Sequence, residues 1–355
     1  MRRRKKNRFL IIFILVMLVL IAACLIVPNL IINGRSVVTY EDGKIKVIPV
    51  FRLMNIVSPN EATDEVQEVS EEETDVPSFT GSVPRIICWG DSLTESIDSK
   101  TAYPDVLARL ADTTVLNYGV MSEATKHIAM RQGGIQVYTG AFTIPASRTP
   151  VSLGLKSDEG KVIFLKYGDA GINPCYICGV EGTLGRDDNG YYYFVRSAEG
   201  NSVSVPKGSI LVTQGMAQQN PNDVLVIFTG TNDLPTADTI SDVINIQRRM
   251  INESGCDKYV IVGLTYRGGI DDIDEVNHIL ADEYGEHFLD IRTYMLEHGL
   301  EDAGVAPTAK DREDIKKGEI PSSLRRDYVH GNEKFYEILA TQVYKRMVDL
   351  MYLPR

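Results

Sequence analysis

Apolar and polar positions change rhythm several times along the 355 residues of this chain. Residues 9–27 have no rhythm at all, being apolar without a break. At helical rise such a run covers about 28 Å, close to the roughly 30 Å hydrocarbon core of a bilayer, and so predicts a membrane-spanning helix. Leu30, Ile31 and Ile32 extend the apolar character past Pro28. Residues 36–40 and 44–50 then alternate as two short strands around Glu41, Asp42 and Gly43, which predicts a hairpin. Residues 61–75 hold eight acidic side chains and no basic one, a solvated spacer.

From Pro84 onward short apolar runs alternate with stretches of helical period. Residues 85–89, 115–118, 224–228, 259–264 and 288–291 read as strands. Tyr103, Val106, Leu107 and Leu110 fall at helical spacing, and residues 240–254, 272–284 and 332–351 read as further helices. This alternation predicts an α/β domain, a doubly wound parallel sheet with helices on both faces. Residues 135–213 interrupt it. They are rich in Gly, Val, Tyr and Thr and carry turn signals such as Asp188-Asn189-Gly190, so they predict a small all-β module inserted into the α/β domain. The expected organisation is therefore a basic tail and anchor (1–34), hairpin and acidic linker (35–80), first part of the α/β domain (81–134), β module (135–213) and second part (214–355).

Charge adds topology to this picture. The net charge of −11 excludes a nucleic-acid partner, which would need a basic face. Yet Arg2, Arg3, Arg4, Lys5, Lys6 and Arg8 all precede the first acid, a cluster that holds the N-terminus in the cytoplasm and sends the body outside. The expected location is the cell membrane, single-pass, with an extracytoplasmic body; a lipoprotein acylated at Cys24 is the alternative. Of the five cysteines, Cys175 and Cys178 form the one pair spaced for a disulfide. No second ligand pair accompanies them, and no metal or organic cofactor is expected.

Four short motifs carry candidate chemistry. Gly90-Asp91-Ser92-Leu93 stands where the first strand of the α/β domain ends, the edge at which such sheets bind ligands. Taken alone, Asp91 and Ser92 there also suit the cap of the next helix. Asn117-Tyr118-Gly119 follows the second strand, Gly230-Thr231-Asn232-Asp233 the third, and Asp327-Tyr328-Val329-His330 precedes the last helix. In this order the four resemble the blocks of the SGNH, or GDSL, hydrolase family, over roughly residues 84–134 and 214–350. The resemblance implies a flavodoxin-like α/β fold and a serine esterase. It implies Ser92 as nucleophile, His330 as general base, and Asp327 as the group orienting the imidazole. The N–H groups of Ser92 and Gly119 and the side-chain amide of Asn232 would form the oxyanion hole. His127, His278, His287 and His298 match no block and read as surface or core residues.

The substrate expected from this resemblance is an acylated small molecule or polysaccharide, with acetyl as the leading acyl group and a carbohydrate or other cell-surface ester as its carrier. Other readings stay open: an O-acetyltransferase acting on a cell-wall glycan, a lipase or thioesterase, and a non-catalytic glycan-binding protein. The β module enters beside the second block, after Arg131-Gln132-Gly133-Gly134, and is expected either to wall the cleft or to decorate the surface. Its run Tyr191-Tyr192-Tyr193-Phe194 offers a stacking face to a sugar or, with alternate residues turned inward, simple core.

Overall fold

The computed structural model describes residues 29–32, 36–41, 44–49, 82–96, 101–266, 268, 270 and 272–354. The chain divides into two units, Met1–Asp75 and Val76–Arg355. In the first, strands β1 (Asn29–Ile32), β2 (Ser36–Glu41) and β3 (Lys44–Pro49) form an antiparallel sheet in the order β1-β2-β3. Glu41 pairs with Lys44 between β2 and β3.

The membrane expectation is corrected here. Among the described residues no helix is long and apolar enough to cross a membrane. The run at 9–27, with Cys24 and the basic cluster, lies outside the described residues, as does the acidic linker at 61–75. Leu30, Ile31 and Ile32, which lengthened the apolar run in sequence, belong instead to a strand and pair with Val38, Val37 and Ser36. A short continuous apolar run is common to strands and buried helices, and here strand pairing wins.

The second unit is built on a five-stranded parallel sheet. Strand β4 (Ile86–Gly90) leads to a short helix α1 (Ser92–Glu95) and then α2 (Tyr103–Ala111), followed by β5 (Val115–Gly119) and α3 (Thr125–Gln132). Between α3 and the next sheet strand the chain makes β6 (Tyr138–Thr139), β7 (Phe142–Ile144), β8 (Val151–Leu153), β9 (Leu155–Lys156), β10 (Cys175–Ile177), β11 (Val180–Arg186), β12 (Tyr192–Arg196), β13 (Val203–Val205) and β14 (Leu211–Val212). These are antiparallel throughout, with β14-β10-β11-β12-β8 as the main sheet. The short helix α4 (Gln214–Gln218) returns the chain to β15 (Val224–Phe228), α5 (Ile240–Ser254), β16 (Lys258–Val262), α6 (Ile273–Tyr284) and β17 (Phe288–Leu289). Helices α7 (Ile291–Glu297), α8 (Gly299–Asp302), α9 (Ala309–Lys316) and α10 (Glu333–Asp349) complete it.

The parallel sheet runs in the order β17-β16-β15-β4-β5. Strand order thus reverses between β4 and β15, the switch point at which doubly wound sheets open a crevice at their carboxyl edge. Buried on both faces, β15 reads Val-Leu-Val-Ile-Phe without a polar residue. Its side chains alternate between two cores. Leu225 and Ile227 join Ile87, Trp89 and Ile261 on the face covered by α3, α5 and α6. Val224, Val226 and Phe228 join Ile86, Cys88 and Val260 on the face covered by α2 and α10.

The first of these cores also takes in Phe164, Ile172, Cys175, Phe194 and Leu211 of the inserted segment. The β module thus shares a core with the sheet, through Trp89. A side chain at Gly171 would stand 3.2 Å from the Trp89 ring, and one at Gly215, in α4, 2.4 Å, so bare backbone is what lets the module and the helix after it approach. The Cys175 and Cys178 thiols are free, the first buried and the second exposed, so the expected disulfide does not form.

Candidate active site

Ser92 is the first residue of α1, directly after β4 bends at Gly90. The bend is tight: a Cβ on Gly90 would lie 2.0 Å from Thr94 Oγ1 and 2.7 Å from the carbonyl oxygen of Phe228. Asp91 caps α1, its Oδ1 accepting from the N–H of Leu93 at 2.9 Å. Asp91 thus holds the helix start, and the Ser92 hydroxyl is left to meet a side chain from elsewhere in the chain.

His330 comes from the far end of the chain. Its Nε2 lies 2.9 Å from Ser92 Oγ, and its Nδ1 lies 2.8 Å from Asp327 Oδ2. A carboxylate only accepts, so Nδ1 carries the proton there and Nε2 is left as the acceptor for the serine hydroxyl. Asp327 Oδ1 also accepts from the N–H groups of Val329 and His330, each at 2.8 Å, which folds the four-residue motif into a tight turn. Partial burial opposes the charge on Asp327, but these N–H groups and the imidazole outweigh it and hold the carboxyl below its usual range.

A polar truss carries this turn. Arg325 and Gly331 form a bridge, and the N–H of Arg326 donates to the carbonyl of His330 at 2.9 Å. Asn332 caps α10 and donates from Nδ2 to Ser323 O at 2.8 Å. Below it Asp311 accepts from both the N–H and hydroxyl of Ser323 and of Thr308. Asp314 accepts from Ser322 and pairs with Arg325 at 3.0 Å. Both carboxylates are fully buried, and nothing in the spacing of α9 marked them in sequence.

The expected oxyanion donors stand differently from one another. The N–H of Ser92, first in its helix, has no intrahelical partner. Asn232 follows β15 at the switch point, its Nδ2 at 3.0 Å from Glu123 O and 3.3 Å from Asp91 Oδ2. Gly119, expected from the resemblance as a third donor, gives its N–H to Asn117 Oδ1 at 2.9 Å. Glycine is required there for another reason. A Cβ would fall 2.1 Å from the N of Glu95, because α1 lies directly on the end of β5.

Two buried acids, Asp91 and Glu123, and the half-buried Asp233 lie around Asn232. Burial pushes the Asp91 carboxyl up to about 7, with the N–H of Leu93 pulling down and Asp233 and Glu123 pushing up. Burial also raises Asp233, against two bonds from Thr125 at 2.7 and 2.8 Å. Glu123 is raised by burial and drawn back by Arg131, its partner at 2.8 Å. Beside His330 a cavity of about 270 Å³ is lined in part by Tyr266, Glu319, Arg325 and Tyr328. His127 and His287 lie apart from the site; His287 stacks on Tyr259, and burial lowers His127 to about 4. No group of His, Cys, Asp and Glu suited to a metal occurs among the described residues.

No family model and no curated protein matches the chain. Among solved structures it is similar to a putative lipolytic protein of the G-D-S-L family from Desulfitobacterium hafniense, at 12% identity and a TM-score of 0.39 over 74% of this chain and 98% of that one. It is similar also to a lipolytic protein of the G-D-S-L family from Veillonella parvula, at 13% identity and 0.38 over 74% and 96%. A third is an acetyl xylan esterase, at 11% identity and 0.39 over 74% and 98%.

Proposed function

We propose that this chain is a serine ester hydrolase working through an acyl-serine intermediate. The observation that carries the reading is the continuous line of contacts from Asp327 to His330 to Ser92, at 2.8 and 2.9 Å, at the switch point of a doubly wound sheet. Ser92 Oγ attacks the ester carbonyl while His330 Nε2 takes its proton. Asp327 stabilises the imidazolium so formed. The carbonyl oxygen, now negative, is met by the N–H of Ser92 and by Asn232 Nδ2. The 3.3 Å contact of Nδ2 with Asp91, long for a hydrogen bond, is the one that gives way. Collapse breaks the ester C–O bond, and the alcohol leaves with the proton from His330. Water then attacks the acyl-serine, again giving its proton to His330, and the acid departs as Ser92 recovers its hydrogen.

The finer reading is an acetyl or other short acyl ester carried on a carbohydrate. The cavity beside His330 supports it. Both of its arginines are already neutralised, Arg292 by Asp274 at 2.8 Å and Arg325 by Asp314 at 3.0 Å, so it suits a neutral polar group better than an anion. Glu319 and Arg325 in the wall disfavour a long apolar chain. Tyr328, 81% exposed and two residues before His330, offers a ring to stack on.

The test is covalent trapping. A fluorophosphonate should label Ser92, and Ser92→Ala should lose both the label and hydrolysis of 4-nitrophenyl acetate. Undiminished hydrolysis by Ser92→Ala sinks the reading. Faster cleavage of 4-nitrophenyl octanoate than of 4-nitrophenyl acetate would overturn the finer one.

A further inference from the structure

Arg131 is wholly buried, as is its partner Glu123 at 3% exposure, and neither touches the Ser92–His330 line. A buried ion pair adds little stability for what it takes to dehydrate two charges. What this one connects is therefore the more informative question. The guanidinium makes three separate bonds: Nε to Glu123 Oε2 at 2.8 Å, Nη2 to Tyr118 O at 3.1 Å, and Nη1 to Ala170 O at 2.8 Å. Tyr118 lies in β5, Glu123 in the loop after it, and Ala170 in the inserted module. The arginine thus gathers two parts of the α/β core and one part of the insertion onto one planar fork.

The second link is short. Glu123, held at its side chain by Arg131, offers its backbone carbonyl to Asn232 Nδ2 at 3.0 Å. That bond fixes where the amide points. On the module side the arrangement is tight: Arg131 lies 5.4 Å over the Trp89 ring, Trp89 packs on Tyr118 at 4.6 Å, and Gly171, next to Ala170, turns with φ +73° against both rings. The Thr213 hydroxyl, at the module's exit, donates to the carbonyl of Arg131 itself at 2.6 Å. Entry and exit of the insertion are therefore fastened at one residue.

We propose that the Glu123–Arg131 pair is a positioning device for Asn232, and that through it the β module is a working part of the catalytic apparatus. The proposal rests on Asn232 being an oxyanion donor. Glu123 and Arg131 are positioning residues, acting only through that amide. An acyl transition state needs its donors fixed in advance, and displacement of about 1 Å is enough to cost about a hundredfold in rate.

The experiment is a double-mutant cycle in the full chain. Removing one partner alone leaves a buried charge, so the pair is replaced together, Glu123→Met with Arg131→Met, a change that buried ion pairs commonly tolerate. Arg131→Lys is the second variant, since an ammonium keeps the charge opposite Glu123 but cannot span the other two carbonyls. Each is made in the native background and with Asn232→Ala, and kcat and KM are measured on 4-nitrophenyl acetate. The paired replacement should lower kcat at least about tenfold with KM moved less than about threefold, and should cost less than about twofold once Asn232 is gone. Arg131→Lys should follow the same pattern with a smaller loss. Equal losses in both backgrounds, or no loss in the native one, overturn the proposal. Full kcat in Asn232→Ala alone overturns the oxyanion reading beneath it, a different result from additivity.

Discussion

Replacing Gly119 with alanine separates two roles that one glycine can have. The substitution keeps the backbone N–H, so a residue serving only as an oxyanion donor would tolerate it. The structure predicts otherwise. The new Cβ would stand 2.1 Å from Glu95 N, 2.5 Å from Glu95 Cα and 2.6 Å from Thr94 C. These are backbone atoms with no rotamer to change, so α1 has to withdraw by more than about 1 Å to reach ordinary contact near 3.5 Å. Ser92 opens that helix, and its 2.9 Å contact with His330 leaves little slack before hydrogen-bond reach ends at about 3.2 Å. Overpacking of this kind costs about 1–3 kcal/mol of stability. Displacing Ser92, the proposed nucleophile, should cost about a hundredfold in kcat/KM, or about 2.7 kcal/mol of barrier. Thermal unfolding, steady-state hydrolysis of 4-nitrophenyl acetate and the rate of fluorophosphonate labelling would be measured together. An alanine variant with native melting temperature and native kcat/KM refutes the close approach of α1 on β5.

Asp91 sets a pH dependence of stability. Its folded pKa of about 7 lies above the ordinary 3.8, so between these values the folded chain binds more protons than the unfolded one. Stability falls as pH rises from about 4 to about 7, by at most about 4 kcal/mol from this group. Asp91→Asn should flatten that slope in urea unfolding at pH 5 and pH 8, and an unchanged slope would contradict it. Asp311→Ala removes the acceptor for four bonds beneath the His330 turn, and should cost about 2–3 kcal/mol and lower kcat together. A stability loss with native kcat would show that the truss does not hold the turn. Cys178, the exposed thiol among the described cysteines, should react with a maleimide in the native protein while Cys88, Cys175 and Cys256 wait for unfolding. Joint protection of Cys175 and Cys178 that ends on reduction would instead reveal a disulfide.

Much of the fold was legible because its signals are local. The helix at 240–254 and the strand at 224–228 coincide with α5 and β15, since period and apolar run length are properties of neighbours in sequence. The antiparallel strands between α3 and α4 fall within the 135–213 stretch whose turn signals broke the α/β rhythm. Ser92, Asp327 and His330 come together because their motifs sit at strand and helix ends, where sequence punctuation is strongest. The close approach of Gly119 to Glu95, on another element, was not legible, because sequence does not display contacts. The same holds for Glu123 and Arg131: they look like ordinary charges before and at the end of α3 until burial pairs them. Leu30 to Ile32 were ambiguous for the opposite reason, being too few to carry a period of their own.

Asp327 keeps 46% of its side chain exposed and His330 17%, so the acid and base end of the site is wet. An acyl-serine formed at Ser92 would then face bulk solvent across the imidazole that activates its attacker. Any sugar hydroxyl competing for that acyl group would have to displace solvent already within reach of His330, and only a pre-bound acceptor would win. Under the proposed mechanism, the openness of this four-residue turn would weight partition between transfer and hydrolysis toward hydrolysis. A variant that shields this turn from solvent is where transfer activity would be sought.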